Sequence, residues 1–199
     1  MSTTDRPYHH GDLRDTLIRT AMELIAKVGL NGFSVAKVAK HAGVSSGAPY
    51  RHFPDKESLL SATGIVFLTG LTSRINAAVQ ATGNPVDRLA AVAAAIASYM
   101  IDHNVGFELF SSLRGSSYTE FHEQSRKMMD MLLAIVQEAD PNASWEKVVE
   151  LMEALLAVST GYANLYNQSI YSDRKVTQAE FAERAATTMR YLIMGRKMK

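Results

Sequence analysis

The stretch AGVSSGAPYRHF, residues 42–53, is compatible with two different kinds of protein. Within it, GVSSG (43–47) matches G-x-S-x-G, the nucleophile-elbow pattern of α/β-hydrolases, in which a serine lies on a sharp turn between a strand and a helix. The same residues match the turn of a helix-turn-helix, with Ser45 opening the second helix. The secondary structure that leads into Gly43 decides between these interpretations.

Helical spacing leads into Gly43. Ser34 is a good N-cap for a short helix that Gly43 ends. Before it, a first helix is predicted to end at Gly29, because its apolar residues recur at intervals of three and four: Leu13, Leu17, Ala21, Leu24, Ile25 and Val28. A nucleophile elbow needs an entering strand and a parallel sheet. Ser45 is therefore not expected to be a nucleophile.

The rest of the chain is also helical in pattern. Asp55 is expected to cap a helix over 56–80, and TGNP (82–85) separates that helix from an alanine-rich one ending near His103. Further helices are predicted over 107–113, 121–139, 145–168 and 177–194. The sequence shows no convincing strand periodicity and no internal repeat. It therefore predicts an all-α protein of about nine helices.

Composition excludes several classes of site. The chain has no cysteine, so it forms no disulfide and has no thiolate metal site or cysteine nucleophile. The N-terminal residues lack the apolar core of a signal peptide, and LAAVAAAIASYMI (89–101) is too short and too alanine-rich to span a bilayer. The net charge of +1 says nothing by itself about nucleic acid. We expect a cytoplasmic protein without a membrane partner.

The spacing around Gly43 meets the specification of a helix-turn-helix. Helix 35–42, turn 43–45 and helix 46–53 have the expected lengths, and Val44 has to point inward to hold the two helices together. Pro49 lacks an N–H and is tolerated only in the first turn of a helix. The second helix is therefore expected to begin at Ser45 or Ser46.

The stretch FSVAKVAKHAGVSSGAPYRHFPDKESLL (33–60) resembles the DNA-binding signature of the TetR family of bacterial transcriptional regulators. Roughly residues 11–62 share this resemblance, and the remainder agrees in length and helix content. The matching positions are Gly29, Ala39, Gly43, Val44, Ser45, Gly47, Tyr50, His52, Phe53, Lys56, Glu57 and Leu59. The resemblance implies an N-terminal three-helix DNA-binding domain over 1–62, followed by a helical ligand-binding and dimerisation domain over 63–199.

The resemblance and the chemistry together assign roles in DNA binding. Ser45, Ser46, Gly47 and Ala48 are small residues at a helix N-terminus, where they allow close approach to base edges. Tyr50, His52 and Lys56 resemble the family's phosphate contacts. Ser34 and Lys37, on the previous helix, are candidates for contact with the DNA backbone. Arg51 is equally compatible with a solvated charge and a DNA contact. His9 and His10 belong either to an ordinary flexible arm or to an arm that reaches DNA.

The second half of the chain carries no catalytic constellation, so no enzyme, metal or cofactor is expected. It is rich in methionine and aromatic residues, which line adaptable pockets as well as packed cores. Family members bind small molecules among these middle helices. The candidates for contact with a small apolar effector are Phe67, Phe107, Phe110, Met128, Tyr162 and Tyr166.

The helices over 145–168 and 177–194 are apolar on more than one face. Small residues such as Ala154, Ala157 and Gly161 would allow close helix approach, which suits a homodimer built as a four-helix bundle. The predicted function is a dimeric repressor that binds an inverted-repeat operator in double-stranded DNA and is released by a ligand. The alternative is a helical ligand-binding or scaffold module without functional DNA binding. The intact Gly43, Tyr50 and Lys56 argue against that alternative.

Overall fold

The computed structural model describes residues 10–113, 115, 117–169 and 175–197. These residues form eight α-helices and one short 3₁₀ helix and contain no β-strand. In chain order they are α1 His10–Gly32, α2 Val35–His41, the 3₁₀ helix Pro49–Arg51, α3 Lys56–Gln80, α4 Pro85–His103, α5 Gly106–Leu113, α6 Thr119–Ala139, α7 Trp145–Asn167 and α8 Gln178–Lys197. The prediction of an all-α protein is confirmed.

The predicted helix boundaries follow from local capping. Ser34 Oγ accepts a hydrogen bond of 3.3 Å from Lys37 N at the start of α2. Asp55 Oδ1 accepts one of 2.7 Å from Ser58 N at the start of α3. Gly29 interrupts α1 with φ 67° and ψ 175°, a left-handed conformation that glycine adopts without strain. The helical backbone resumes beyond it and continues to Gly32.

The structure divides into two compact units. The first contains the described residues up to Val66 together with Val105–Phe121. Its core is formed by α1, α2, the segment before α3 and the start of α3. The buried residues include Leu17, Ala21, Ile25, Val38, Phe53 and Leu59. A Cβ on Gly64 would lie 2.9 Å from Leu113 and 2.8 Å from Phe121. The helix α3 therefore packs very closely on the segment Val105–Phe121. The first unit therefore extends beyond the predicted segment 1–62.

The second unit contains Phe67–Asn104 and the described residues from His122 onward. In it, α4 packs against both α7 and α8. Phe181, Ala185, Met189 and Ile193 form the buried face of α8. Ala185 is fully buried within its own subunit, because α8 turns this face towards the core.

Within the described residues, α3 alone is long and apolar enough to cross a membrane by length and composition. In its most apolar window, 61% of the residues are buried inside the protein. The core helix of a globular protein passes the same test, and core packing accounts for the apolar character of α3.

Candidate nucleic-acid interface

The turn between α2 and the 3₁₀ helix is built around Gly43. Its φ of 71° lies in the left-handed region, and a Cβ there would meet no atom within 4 Å. Glycine is therefore needed for its backbone conformation and not for space. The next residue turns the chain back onto α2, since Val44 N donates to Ala39 O over 3.0 Å. This is a helix followed by a tight turn, and no strand leads into Ser45, which excludes the nucleophile elbow.

The segment after the turn is shorter and tighter than the predicted helix over 46–53. Only Pro49–Arg51 is helical, and it is a 3₁₀ helix. Ala48 N donates to Ser45 O over 3.0 Å and His52 N to Pro49 O over the same distance, a spacing of three residues. Pro49 has no N–H to donate to the carbonyl four residues earlier, so the first α-helical bond of this segment cannot form. Three-residue turns take its place, and the α-type spacing returns only at Phe53, whose N donates to Pro49 O over 2.9 Å.

Most of the predicted base-contact residues lie at the surface. Ser45, Ser46 and Gly47 are exposed, and Ala48 is half-buried. Tyr50 is 54% exposed, which is unusual for a large aromatic residue, and Arg51 is exposed beside it. Pro49, between Ala48 and Tyr50, is buried. These exposed or half-buried residues are called the recognition surface below, defined as Ser45–Ala48, Tyr50 and Arg51.

Two of the predicted phosphate contacts, Ser34 and Lys37, already have structural roles. Ser34 is the N-cap of α2, so its hydroxyl oxygen is occupied while its proton stays free to donate. Lys37 Nζ donates to Gly32 O over 2.6 Å, which satisfies one carbonyl at the end of α1. An ammonium has three donors, so two of those on Lys37 remain for other acceptors.

Two further cations are held over aromatic rings in the first unit. Lys56 Nζ lies 5.6 Å from the centroid of the Phe33 ring, and the guanidinium carbon of Arg14 lies 5.4 Å from that of Phe53. Attraction between the cation and the ring face restrains each side chain. Lys56 was predicted from the sequence as a phosphate contact, whereas Arg14 was not singled out.

The segment 33–54 carries positive charge and no negative charge. It contains no Asp or Glu, and its basic residues are Lys37, Lys40, His41, Arg51 and His52. Lys40 and His41 are exposed at the end of α2 and were not among the predicted site residues. The sequence signal that pointed to them was the absence of acidic residues over this segment. Such a one-signed surface attracts a polyanion.

The predicted effector contacts do not form one cluster. Phe67 is buried in the second unit, where its ring centroid lies 5.0 Å from that of Tyr99 and 5.9 Å from that of His103. Tyr162 and Tyr166 come together around Phe181, at ring-centroid distances of 6.2 and 5.5 Å. Met128 is buried in α6. Phe110 belongs to the first unit, where its ring lies 5.7 Å from that of Phe121.

Two sets of predicted residues fall outside the part of the chain that the structure describes. The side chain of Phe107, a predicted effector contact, is one of them. The others are His9 and the side chain of His10, which were assigned either to a flexible arm or to an arm that reaches DNA.

Burial changes the acid–base properties of the cluster around Phe67. It lowers the pKa of His103 below its ordinary value, and the nearby Asp102 acts in the opposite direction. Burial also raises the pKa of Tyr99, whose hydroxyl donates to Phe67 O over 3.1 Å. Among the described residues there is no group of three or more His, Asp or Glu that could hold a metal ion.

An open groove of about 430 Å³ runs along α7 and α8 in the second unit. Its lining residues are Tyr162, Glu180, Glu183, Arg184, Thr187, Thr188 and Tyr191. Tyr162 and Thr188 share a hydrogen bond of 3.0 Å at its base. Its lining combines the charged groups of Glu180, Glu183 and Arg184 with the rings of Tyr162 and Tyr191.

The fold and the recognition surface define a helix-turn-helix DNA-binding protein. Residues 17–63 match the model of bacterial regulatory proteins of the tetR family. The chain is also similar to the HTH-type transcriptional repressor KstR2 of Mycobacterium tuberculosis, with 31% identity over 134 residues that cover 63% of this chain and 67% of KstR2. The chain therefore belongs to the TetR family. It is a DNA-binding transcriptional regulator and not an enzyme.

Solved structures show the same fold over nearly the whole chain. A protein of unknown function from Rhodococcus sp. RHA1 superposes with a TM-score of 0.72 and 28% identity, over 94% of this chain and 97% of the other. The ketosteroid transcriptional regulator KstR2 of Mycobacterium tuberculosis superposes with a TM-score of 0.67 and 18% identity, over 92% and 94% of the two chains.

Proposed function

We propose that this regulator is a homodimeric repressor that binds an inverted-repeat operator and is released by a small apolar ligand. The observation that carries the proposal is the segment 33–54, which exposes hydrogen-bond donors and cations and has no acidic residue. Repression through such a segment requires sequence-specific binding. Phosphate contacts provide affinity and base contacts provide the specificity.

The residues of the recognition surface share these tasks with four neighbouring residues. Ser45, Ser46, Gly47 and Ala48 lack bulk, and their exposure favours close approach to base edges in the major groove. Tyr50, Arg51, His52 and Lys56 carry hydroxyl, guanidinium, imidazole and ammonium groups, which donate to phosphate oxygens. Ser34 and Lys37 contribute from α2, each with donors left over after its structural bond.

The proposed dimer forms through α7 and α8, in line with the predicted interface over 145–168 and 177–194. Tyr191 and Met194 are 71% and 60% exposed on α8, and a Cβ on Gly161 of α7 would meet nothing within 4 Å. The groove along these helices offers room for a side chain of a second copy. In a two-fold dimer the same patch of one subunit faces its copy on the other, so these residues are buried in both subunits.

The proposed ligand is apolar and binds in the second unit, near Phe67, Met128, Tyr162 or Tyr166. Packed aromatic and methionine side chains support this, because such side chains re-pack around a guest. The similar KstR2 is described as a ketosteroid regulator, which points to the same chemical class. α3 contributes residues to both units, as α6 does, and is a continuous element through which a ligand would act on the DNA-binding unit. We infer a cytoplasmic location, because the proposed partner is DNA.

A mobility-shift assay tests the proposal. The probe is a duplex from directly upstream of the gene for this chain, and the control is a duplex of the same composition in scrambled order. We expect the upstream duplex to be retained against an excess of unlabelled scrambled competitor. Equal retention of both duplexes would contradict sequence-specific regulation at that locus, and a lack of retention of either would contradict DNA binding altogether.

A further inference from the structure

Arg14 lies outside the helix-turn-helix, yet its side chain contacts Phe53, the residue that follows the proposed phosphate contact His52. It is exposed on α1, between Leu13 and the buried Leu17 one turn later, so it borders the face of α1 that packs inward. Its guanidinium carbon is 5.4 Å from the centroid of the Phe53 ring. Phe53 follows directly after His52, and their ring centroids are 6.5 Å apart.

Among the side chains that the structure describes, which begin at Leu13, the guanidinium of Arg14 has no hydrogen-bond acceptor and no carboxylate partner. The ion pairs of Arg74, Arg88 and Arg190 show that other arginines of the chain do find carboxylates. Arg14 contacts a ring instead. Contact with a ring face restrains a cation without using its N–H groups, so the five donors of Arg14 stay available.

We propose that Arg14 is a phosphate-binding residue of the DNA interface, held in position by the ring of Phe53. This inference rests on the proposed DNA-binding function and extends the interface to a third helix. A guanidinium binds phosphate through two parallel N–H donors, and one that is already restrained loses less conformational freedom on binding. The same arrangement holds Lys56 over Phe33, so two ring-supported cations belong to the one DNA-binding unit.

The test is the salt dependence of binding to a fluorescein-labelled duplex of random sequence, measured by anisotropy between about 50 and 200 mM salt. A phosphate contact does not depend on sequence, so the operator need not be known. Arg14→Ala is compared with Arg19→Ala, an equal loss of charge from an exposed α1 residue whose guanidinium donates to Thr16 Oγ1 over 3.4 Å. Arg14→Gln keeps much of the stem over the ring, and Arg14→Lys keeps the charge.

The plot of log Kobs against log salt has a negative slope. In Arg14→Ala and in Arg14→Gln its magnitude decreases by about 0.9 for each phosphate contact that Arg14 makes. Arg19→Ala leaves the slope unchanged, and Arg14→Lys keeps the slope but binds more weakly. A role of Arg14 in covering Phe53 alone would lower the melting temperature and leave the slope as it is, which would overturn the inference. If the wild type failed to bind the duplex at low salt, the proposed function would fall together with the inference.

Discussion

The hydroxyl of Tyr118 donates a hydrogen bond of 3.1 Å to Oδ1 of Asp55, a residue 63 positions earlier in the chain. The same carboxylate oxygen accepts a hydrogen bond from Ser58 N, and Asp55 N donates to Ser58 Oγ over 3.2 Å. Asp55 therefore caps α3 and also ties the segment after α5 to it. The next residue is Lys56, a proposed phosphate contact, so this capping arrangement sets the position of one part of the DNA interface.

We expect Asp55→Asn to weaken the acid sensitivity of the fold. The backbone N–H of Ser58 holds the pKa of Asp55 below its ordinary value, helped by the hydroxyl of Tyr118. The folded pKa lies below the unfolded one, so the stabilisation is complete above about pH 4 and is lost as pH falls through the folded pKa. Melting temperatures followed by circular dichroism across that acidic range check this. Tyr118→Phe removes one of the bonds and should give an intermediate dependence.

His103 should make the protein less stable as pH falls through about 6.5, the ordinary pKa of histidine. Burial lowers the pKa of the folded His103, so below that pH the unfolded chain binds the proton more readily. His103→Phe keeps the ring contacts with Phe67 and Tyr99 and removes the imidazole, which is the group that binds the proton. Its melting temperature should drop less than that of the wild type between neutral and mildly acidic pH. His41→Asn, at an exposed histidine, is the control, and equal drops in His103→Phe and wild type would contradict the prediction.

Gly70 and Tyr99 should be strongly coupled in stability. A Cβ on Gly70 would overlap the Tyr99 hydroxyl, which itself donates to Phe67 O. We expect Gly70→Ala to cost about 1–3 kcal/mol, because the hydroxyl has to move in a packed core. In Tyr99→Phe the overlapping atom is absent. Urea unfolding of the two single variants and the double variant should give a double-variant loss at least about 0.5 kcal/mol smaller than the sum. Additive losses would show that the hydroxyl moves aside freely.

Gly161→Glu and Ala185→Glu should separate dimerisation from folding. Gly161 has open space around its Cβ position on α7, so a glutamate there fits the subunit and meets its own copy across a two-fold interface. Ala185 is fully buried inside the subunit, so a glutamate there places a charge in the core. Sedimentation should show folded monomers for Gly161→Glu, and circular dichroism should show unfolding for Ala185→Glu. A wild type that sediments as a monomer at micromolar concentration would rule out the proposed dimer.

Lys56→Ala should weaken binding to all DNA sequences alike. Loss of one phosphate contact per subunit lowers the salt slope by about 0.9 for each contact removed. Ser46→Asn, on the recognition surface, should instead change which operator variants bind best. Lys27→Ala removes an equal charge from an exposed position on α1 and serves as the control. Competition assays with single-base operator variants measure preference, and a change of preference in Lys56→Ala without a change of slope would reverse the assignment.

The sequence alone determined the elements that depend on residues close together in the chain. Helix periodicity and the caps at Ser34 and Asp55 involve partners three or four residues apart, so the all-α fold and the helix-turn-helix could be predicted. The sequence pattern did not predict the type of helix at Pro49, where the structure has a 3₁₀ helix. The competing hydrogen-bond spacings there differ by only one residue, too small a difference for a pattern to resolve.

Only the tertiary structure decided which surface each helix face meets. Ala185 is buried against its own subunit, and this burial depends on how α8 packs on α4 and α7. The ring of Phe53 under Arg14 and the bond from Tyr118 to Asp55 join residues 39 and 63 positions apart. A helical repeat determines which side chains share a face, whereas the partner of that face is determined by packing between distant segments, which no local pattern records.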